Sequence, residues 1–397
     1  MSSSLEGVRV IDFTQAMAGP FVTMLLGDLG ADIIKIEPLT GDQTRRWFPP
    51  SMGGLSAYFL SVNRNKRSLA INLKTEEGRK ILRRLAENSD VVVENFRPGT
   101  MERLGLTYEI AREINPQIVY CSISGYGQNG PRKDQPGYDL TVLANSGLLY
   151  LNGEPGRTPV KFGVPIADIV SGLFAGMAIL SALLERSRSG EGQYIDLSML
   201  DANFLTLTHQ LFHFFATGEN PERTGTWHPS IAPYQIFGTQ DGHIVVAIGT
   251  EKLWMSFCSA IGREDLAENP LFIDNSHRVK NRSELIKNIE ATLRNRRTDE
   301  LTKLFESWGI PAASVRKVED VVNDPQITER KMLYRINTPY GSIPMPGSPF
   351  KMSRTPGKIS RAPPRLGEDS SRILEEIGFS SEYIRDLRKR GIVGSPE

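Results

Sequence analysis

Residues 8–36 read VRVIDFTQAMAGPFVTMLLGDLGADIIKI. A β-branched run from Val8 to Phe13 gives way to a helical pattern from Phe21 to Gly30, and a second β-branched run follows from Asp32 to Ile36. Strand, helix and strand in quick succession form a βαβ unit, whose two strands run parallel. The alternation continues: Ser68–Leu73, Asp90–Phe96, Gln117–Ile123 and Gln193–Leu197 are further strand candidates. Glu76–Asn88 and Ile169–Arg186 carry apolar residues at helical spacing or all round. The fold class is therefore α/β, with a doubly wound parallel sheet, and ligands of such sheets sit outside the carboxyl ends of the strands.

The pattern changes after about residue 215. Tyr234–Gly249 reads as two strands around an Asp-Gly turn, which is an antiparallel hairpin. Helical segments follow at Lys252–Ile261, Ser283–Asn295 and Asp299–Trp308. These predict a smaller α+β domain over 225–330 beside a large domain over 1–215. The stretch Pro339–Gly367 is rich in Pro and Gly, and a charged helical pattern runs from Ser370 to Arg390. A long extended connector thus returns, so that residues 335–397 complete the large domain.

Composition narrows the function. Lys and Arg number 47 against 46 Asp and Glu, so no net field favours nucleic acid or an anionic membrane, and any anion site must be local. The 2 cysteines and a start without a basic then apolar pattern point to a reducing cytoplasm. Ile166–Leu184, the longest apolar stretch, is broken by Asp168, Ser171, Gly172 and Gly176, and predicts a buried core helix rather than a membrane span. None of the 5 histidines has a metal-ligand setting, so no metal is expected. His209 and His213 lie four apart in an apolar stretch and point to core or interface packing.

After the first strand comes Asp12-Phe-Thr-Gln-Ala-Met-Ala-Gly-Pro20, where a dinucleotide fold would carry Gly-x-Gly-x-x-Gly. Those glycines are missing, and Glu37 alone is slight support for a ribose contact, so NAD is not expected. Arg64, Lys66 and Arg67 stand just ahead of a strand, and Arg97 and Arg103 follow another. For Arg103 and the Asn65–Arg67 group, a clamp on an acidic ligand and an ordinary charged surface are evenly matched. Gly125-Tyr-Gly127 permits close backbone approach to a ligand, or simply a tight turn.

Gly163-Val-Pro-Ile-Ala-Asp168 runs straight into the long apolar helix. Asp168 stands where an N-cap belongs, and capping, worth about 1 kcal/mol, is a sufficient account of an Asp there. A helix N-terminus also favours a carboxylate, which predicts a pKa at or below the usual ~3.9 and an ionised, nucleophilic group at neutral pH. The sequence leaves both readings open.

Taken together, these blocks resemble the class III coenzyme A transferases, the family of formyl-CoA transferase, carnitine CoA-transferase and α-methylacyl-CoA racemase. The resemblance spans the chain, through Leu5–Phe13, Ala18-Gly-Pro20, Leu26–Glu37, Asn65-Lys-Arg-Ser68, Glu94-Asn-Phe-Arg-Pro-Gly99, Gly125-Tyr-Gly127, Gly137-Tyr-Asp139, Gly190–Gln193 and Arg361–Gly367. It implies a Rossmann-like large domain, a small domain, long linkers between them, and two identical chains interlocked like rings. It also implies that Asp168 is the residue acylated during transfer of CoA from an acyl-CoA to a carboxylate. By the same resemblance, coenzyme A contacts fall on Gln15, Ala16, Met17, Ala18, Asn72, Lys74, Thr75, Asn95, Phe96, Arg103, Leu104 and Tyr138. Substrate contacts fall on Gly137, Tyr138, Asp139, Trp227 and His228. Oxyanion donors are expected near Gly137 or in Gly225–Ser230, because the long glycine-rich segment of formyl-CoA transferase has no counterpart here.

The racemase branch resembles this chain less well. Its catalytic His falls at the position of Tyr138, and phenols, titrating near pH ~10, exchange α-protons poorly. Pro136 stands where some relatives carry a Lys, leaving Lys133 to reach instead. The segment Arg223–Gln235 resembles family members that use succinyl-CoA and other dicarboxylates. An isomerase and a CoA-binding subunit of a heteromeric transferase remain the alternatives.

Overall fold

The computed structural model describes residues 3–338 and 341–394. The start of the Pro339–Gly367 connector, at 339 and 340, the first two residues of the chain and residues 395–397 lie outside the described residues. The chain forms two compact units: one takes in the chain up to Leu149, Lys161–Phe212 and the chain from Gln326 onward, and the other Tyr150–Val160 and His213–Pro325.

The first unit is built on β1 (Arg9–Asp12), β2 (Asp32–Glu37), β3 (Lys66–Ala70), β4 (Val91–Glu94), β5 (Val119–Ser124) and β6 (Tyr194–Ser198). They form one sheet in the order β3-β2-β1-β4-β5-β6, and every pairing is parallel. The expected strands are present with edges moved by a few residues; β3 starts at Lys66 rather than Ser68 and so includes charged residues. Alternate side chains feed two cores. Ile11, Ile34 and Leu69 face α3 (Glu76–Glu87) and the C-terminal helices through Ile81, Leu85, Ile373 and Leu387. Val10, Ile33, Val91 and Val93 face α1 (Ala18–Asp28) and α5 (Ile166–Ser189) through Val22, Leu26, Ala175 and Ile179. Between them in the chain lie α2 (Ala57–Val62) and α4 (Asp139–Ser146).

Helix α5 departs from expectation. Its small residues Ala167, Ser171, Gly172, Ala175 and Ala182 are buried, but Leu173, Met177, Leu180 and Leu184 are exposed, Met177 by 64%. Apolar residues all round therefore do not make it a fully buried helix, although it is long and apolar enough to cross a membrane. His209 and His213 are exposed as well, so core packing is not their role. The charged C-terminal pattern is two helices, Ser370–Glu376 and Ser381–Lys389, because Gly378 turns the chain at φ +94°.

The cationic group from Arg64 to Arg67, which runs into β3, is consumed internally, and this overturns the anion-clamp reading of it. Arg64 pairs with Asp28 at 2.6 Å, Asn65 Nδ2 donates to Asp28 at 2.8 Å, and Lys66 pairs with Asp12 at 2.9 Å. Arg67 is bound to Asp32 at 2.6 Å and Glu376 at 2.9 Å. Glu37 is similarly engaged: Arg45, Ser68 Oγ and the Asp42 N–H all donate to its carboxylate, so it is taken up within the fold.

The second unit holds the hairpin foreseen at Tyr234–Gly249, as β7 (Tyr234–Gly238) and β8 (His243–Ala247), with β9 (Ala312–Ser314) added antiparallel to β8. Phe237, Ile244, Trp254, Phe257, Ile289 and Phe305 fill its core.

Candidate active site

In the sheet order of the first unit, β1 and β4 are neighbours whose connections leave in opposite directions, and the loops after such a pair open a crevice. Here those loops are tied together. Asn95 acts as a substitute peptide toward Gln15: the Gln15 N–H donates to Asn95 Oδ1 at 2.8 Å, and Asn95 Nδ2 donates to the Gln15 carbonyl at 2.7 Å. Ala16 takes a left-handed conformation at φ 64°, a cost of roughly 1–2 kcal/mol that the flanking bonds hold in place. The N-terminus of α1 follows, with Met17 as N-cap and no side-chain cap bond.

Helix α5 enters against α1. Gly172 permits this, since a Cβ there would stand 2.8 Å from the Ala18 carbonyl oxygen. Gly125 and Gly137 pass back to back in the same region, where a Cβ on Gly137 would lie 2.4 Å from the Gly125 Cα. The glycines of Gly125-Tyr-Gly127 and Gly137-Tyr-Asp139 thus serve close packing of backbone on backbone.

Asp168 is not the cap of α5. Pro165 holds the N-cap position and Asp168 is the third helical residue. The acceptor at the helix start is Asp139, whose Oδ1 takes the Ala167 N–H at 2.8 Å, while its Oδ2 is buried without a hydrogen-bond partner among the described residues. The buried Asn203 supports the same turn by donating to the Ala167 carbonyl at 3.2 Å. The half-buried Asp168 carboxyl is pushed up to about 7, by removal from water and then by the charge of Asp139. This reverses the expectation of a low pKa: desolvation outweighs the helix N-terminus.

Asp168 lines a cleft of about 220 Å³ with Gln15, Ala16, Met17, Ala18, Asn95, Phe96, Gly137 and Tyr138. Lys133 and Pro136 are on the same wall, and Tyr138 is 60% exposed. A second cavity, of about 460 Å³, shares Gln15 and Phe96 with the first and adds Asn72, Lys74, Thr100 and Leu104. Eleven of the expected contact residues therefore gather around two neighbouring cavities, together with Asp168. Thr75 instead caps α3, accepting the Gly78 N–H at 3.1 Å. Arg103 donates to Thr100 Oγ1 at 3.0 Å, on the helix that carries Leu104. Trp227 and His228 belong to the second unit. There Arg282 lies over the Trp227 ring at 4.5 Å and donates to the His228 carbonyl at 2.8 Å, and His228 stacks on Tyr234 at 5.4 Å.

Sequence reasoning missed Tyr58. Its phenol is pushed up to about 12 by burial and then by the charges of Asp168, Asp139 and Asp42, and its ring meets Trp47 edge-on at 4.7 Å. No local pattern in Ala57–Val62 marks it. Among the described residues no group of His, Cys, Asp and Glu is arranged to hold a metal ion.

A cleft at the carboxyl end of a parallel sheet, holding the Asp168 carboxylate without a hydrogen bond among the described residues and a larger cavity beside it, fits an enzyme that processes a long acyl carrier. The chain belongs to CoA-transferase family III, which it matches over residues 5–370. It is accordingly a class III CoA-transferase, acting on CoA thioesters and carboxylates. It is 39% identical over 99% of its length to succinyl-CoA:glutarate CoA-transferase of Homo sapiens, covering 90% of that protein. It is also 39% identical to acetyl-CoA:oxalate CoA-transferase of Acetobacter aceti, over 88% of this chain and 89% of that one. Among solved structures, a CAIB/BAIF family protein from Brucella suis superposes with a TM-score of 0.86 at 39% identity, covering 95% of this chain and 100% of that one.

Proposed function

We propose that this protein moves CoA between carboxylic acids through covalent stages on Asp168, with succinyl-CoA or another dicarboxylyl-CoA as donor. The observation that carries the reading is Asp168 on the cleft wall, relieved of the capping role by Asp139 and without a side-chain hydrogen bond among the described residues. An Asp168 oxygen attacks the donor thioester carbonyl and expels CoA thiolate, leaving a mixed anhydride. The thiolate attacks the Asp168 carbonyl of that anhydride, which releases the donor acid and forms an aspartyl-CoA thioester. The acceptor carboxylate attacks this thioester, giving a second anhydride and free thiolate. Attack of the thiolate on the acceptor's acyl carbon forms the new acyl-CoA and restores Asp168. Each stage conserves the activated bond, and each develops charge on oxygen that amide donors must meet.

The carrier would lie in the larger cavity, with Lys74 toward its phosphates and Phe96 and Leu104 against its apolar parts. Dicarboxylates are suggested by relatives named for glutarate and mesaconate, and by Lys133 and Arg97 as cations on the cleft wall. The sheet order supports the Rossmann-like reading of the large unit. The exposed Leu173, Met177, Leu180 and Leu184 of α5, with Phe204, Leu205 and Phe212 of the same unit, support burial against a second, interlocked copy. Two buried free cysteines and a net charge of +1 are in keeping with the cytoplasm.

The test is mass spectrometry after incubation with a panel of acyl-CoAs and hydroxylamine. Acylation should convert Asp168 to a hydroxamate, and Asp168→Ala should abolish both this product and turnover while the protein still folds. Turnover that survives in Asp168→Ala rejects the mechanism. Solvent deuterium entering the α-carbon of a branched acyl-CoA indicates an isomerase instead, and CoA binding without either reaction indicates a subunit of a heteromer.

A further inference from the structure

Two lysines of the sheet, Lys66 of β3 and Lys35 of β2, bond to the ends of the turn that lines the cleft. Lys66 and Lys35 are fully buried on neighbouring strands, two positions apart in register, and Asp12 of β1, directly opposite Lys35, is also fully buried. Lys66 Nζ donates to Asp12 Oδ2 at 2.9 Å and to the Pro20 carbonyl at 3.0 Å. Lys35 Nζ donates to the Thr14 carbonyl at 2.7 Å and pairs with Asp42 at 2.9 Å. Asp12 in turn accepts the Thr14 N–H at 2.8 Å and the Thr23 hydroxyl at 2.7 Å. Both ends of the segment from Thr14 to Pro20 are therefore bonded to this group, and between them stand Gln15 and the left-handed Ala16.

Burying three charges gains little stability over well-packed apolar side chains. What apolar residues cannot do is donate to carbonyls at fixed points. We propose that Lys66, acting through Asp12 and the Pro20 carbonyl with Lys35 as its counterpart at Thr14, is a positioning residue for CoA transfer, holding the Gln15–Met17 turn in register with Asp168. This rests on the transferase reading above. Lys66 touches neither substrate nor the reacting atoms.

The charges facing Lys66 are Asp12 from β1, Lys35 from β2 and Asp42 from the turn after β2, while Glu37 faces Lys35. Burial, with Lys35 adding to it, brings Lys66 down to about 8, against the pull of Asp12. Within this pair of lysines, rising pH thus removes the proton from Lys66 before Lys35, which its carboxylate neighbours hold above the usual value. Because the folded pKa of Lys66 lies below the unfolded value, this titration does not weaken the fold: the unfolded chain binds more protons between the two values, and stability from this group rises with pH there. Activity and stability are expected to part company on the alkaline side.

The experiment compares the full-length protein with Lys66→Met, reading acylation of Asp168 by an acyl-CoA, kcat and KM with a defined acid pair, and thermal melting. The expected result is a folded variant whose kcat and acylation rate fall about 30-fold, with KM for the acyl-CoA changed less than about threefold. A folded Lys66→Met with wild-type kcat overturns the proposal, as does a loss confined to KM. If the variant does not fold, the wild-type protein decides: amide exchange in residues 14–18, corrected for intrinsic rate, is expected to rise with pH through about 8, in step with the loss of kcat. A turn that stays protected while kcat falls overturns it equally. Failure of the transferase reading is a separate result, because the wild-type protein itself would then show no acylation.

Discussion

Asp139 performs the capping that was one of the two readings the sequence left open for Asp168. Its Oδ1 accepts the Ala167 N–H at 2.8 Å, so α5 is capped from a distant point in the chain and the Asp168 carboxylate is left free on the cleft wall. Burial, and then the charge of Asp139, keep Asp168 protonated up to about 7. In the proposed mechanism the carboxylate is the nucleophile, so the single-turnover rate of acylation should fall about tenfold per pH unit below about pH 7. Asp139→Asn retains an acceptor for Ala167 but removes the charge, and should move this acid limb down by about half a pH unit, burial being the larger cause. An acylation rate flat between about pH 5 and 8 would exclude this account of Asp168.

The raised pKa also has a consequence for stability. Below the unfolded value of 3.8, Asp168 is protonated in both states and costs nothing; as pH rises through about 7 the folded state must ionise a desolvated group, and stability is lost. Asp168→Asn should therefore be more stable than the parent at pH 8, by on the order of 2 kcal/mol, and nearly equal to it at about pH 4. Urea melts at the two pH values measure the difference. Equal gains at both would trace the effect to packing rather than charge.

Much of this was legible in the sequence because it depends on local periodicity. The runs at Val8–Phe13 and Asp32–Ile36 alternate between two cores, and the Asp-Gly hairpin at Tyr234–Gly249 is a short-range signal. What failed depends on partners remote in sequence. Lys66 and Arg67 look like a phosphate clamp until Asp12, Asp32 and Glu376 are found opposite them. Apolar residues around α5 look like core until half its circumference proves exposed. Tyr58 feels the charge of Asp168 only through the fold, and the capping acceptor of α5 lies 28 residues upstream of Ala167.

Gly172 sets the approach of α5 to α1. A Cβ at this position would meet the Ala18 carbonyl oxygen at 2.8 Å, a backbone atom that can move only with the helix. Gly172→Ala should destabilise by about 1–3 kcal/mol and, by shifting Asp168 one turn away, lower kcat about tenfold. At Gly176 the Cβ would meet the Val22 Cγ2 at 3.3 Å, a methyl that can give. Gly176→Ala should therefore leave kcat within about twofold. Identical effects from the two substitutions would argue against the close approach at Gly172.

The larger cavity makes the final prediction. Lys74 is exposed on its rim, its N–H bonded to Asn72 Oδ1 at 3.1 Å, while Phe96 and Leu104 form an apolar wall. If this cavity holds the carrier, Lys74 meets phosphate as a solvated cation, an interaction on the order of 1 kcal/mol that weakens with salt. Lys74→Ala should then raise KM for acyl-CoA about fivefold with kcat within about twofold, and the gap from wild type should narrow between about 20 and 300 mM salt. Leu104→Ala, which enlarges the wall without touching charge, should raise KM independently of salt. A Lys74→Ala whose KM matches the parent at low salt would place the carrier elsewhere than in this cavity.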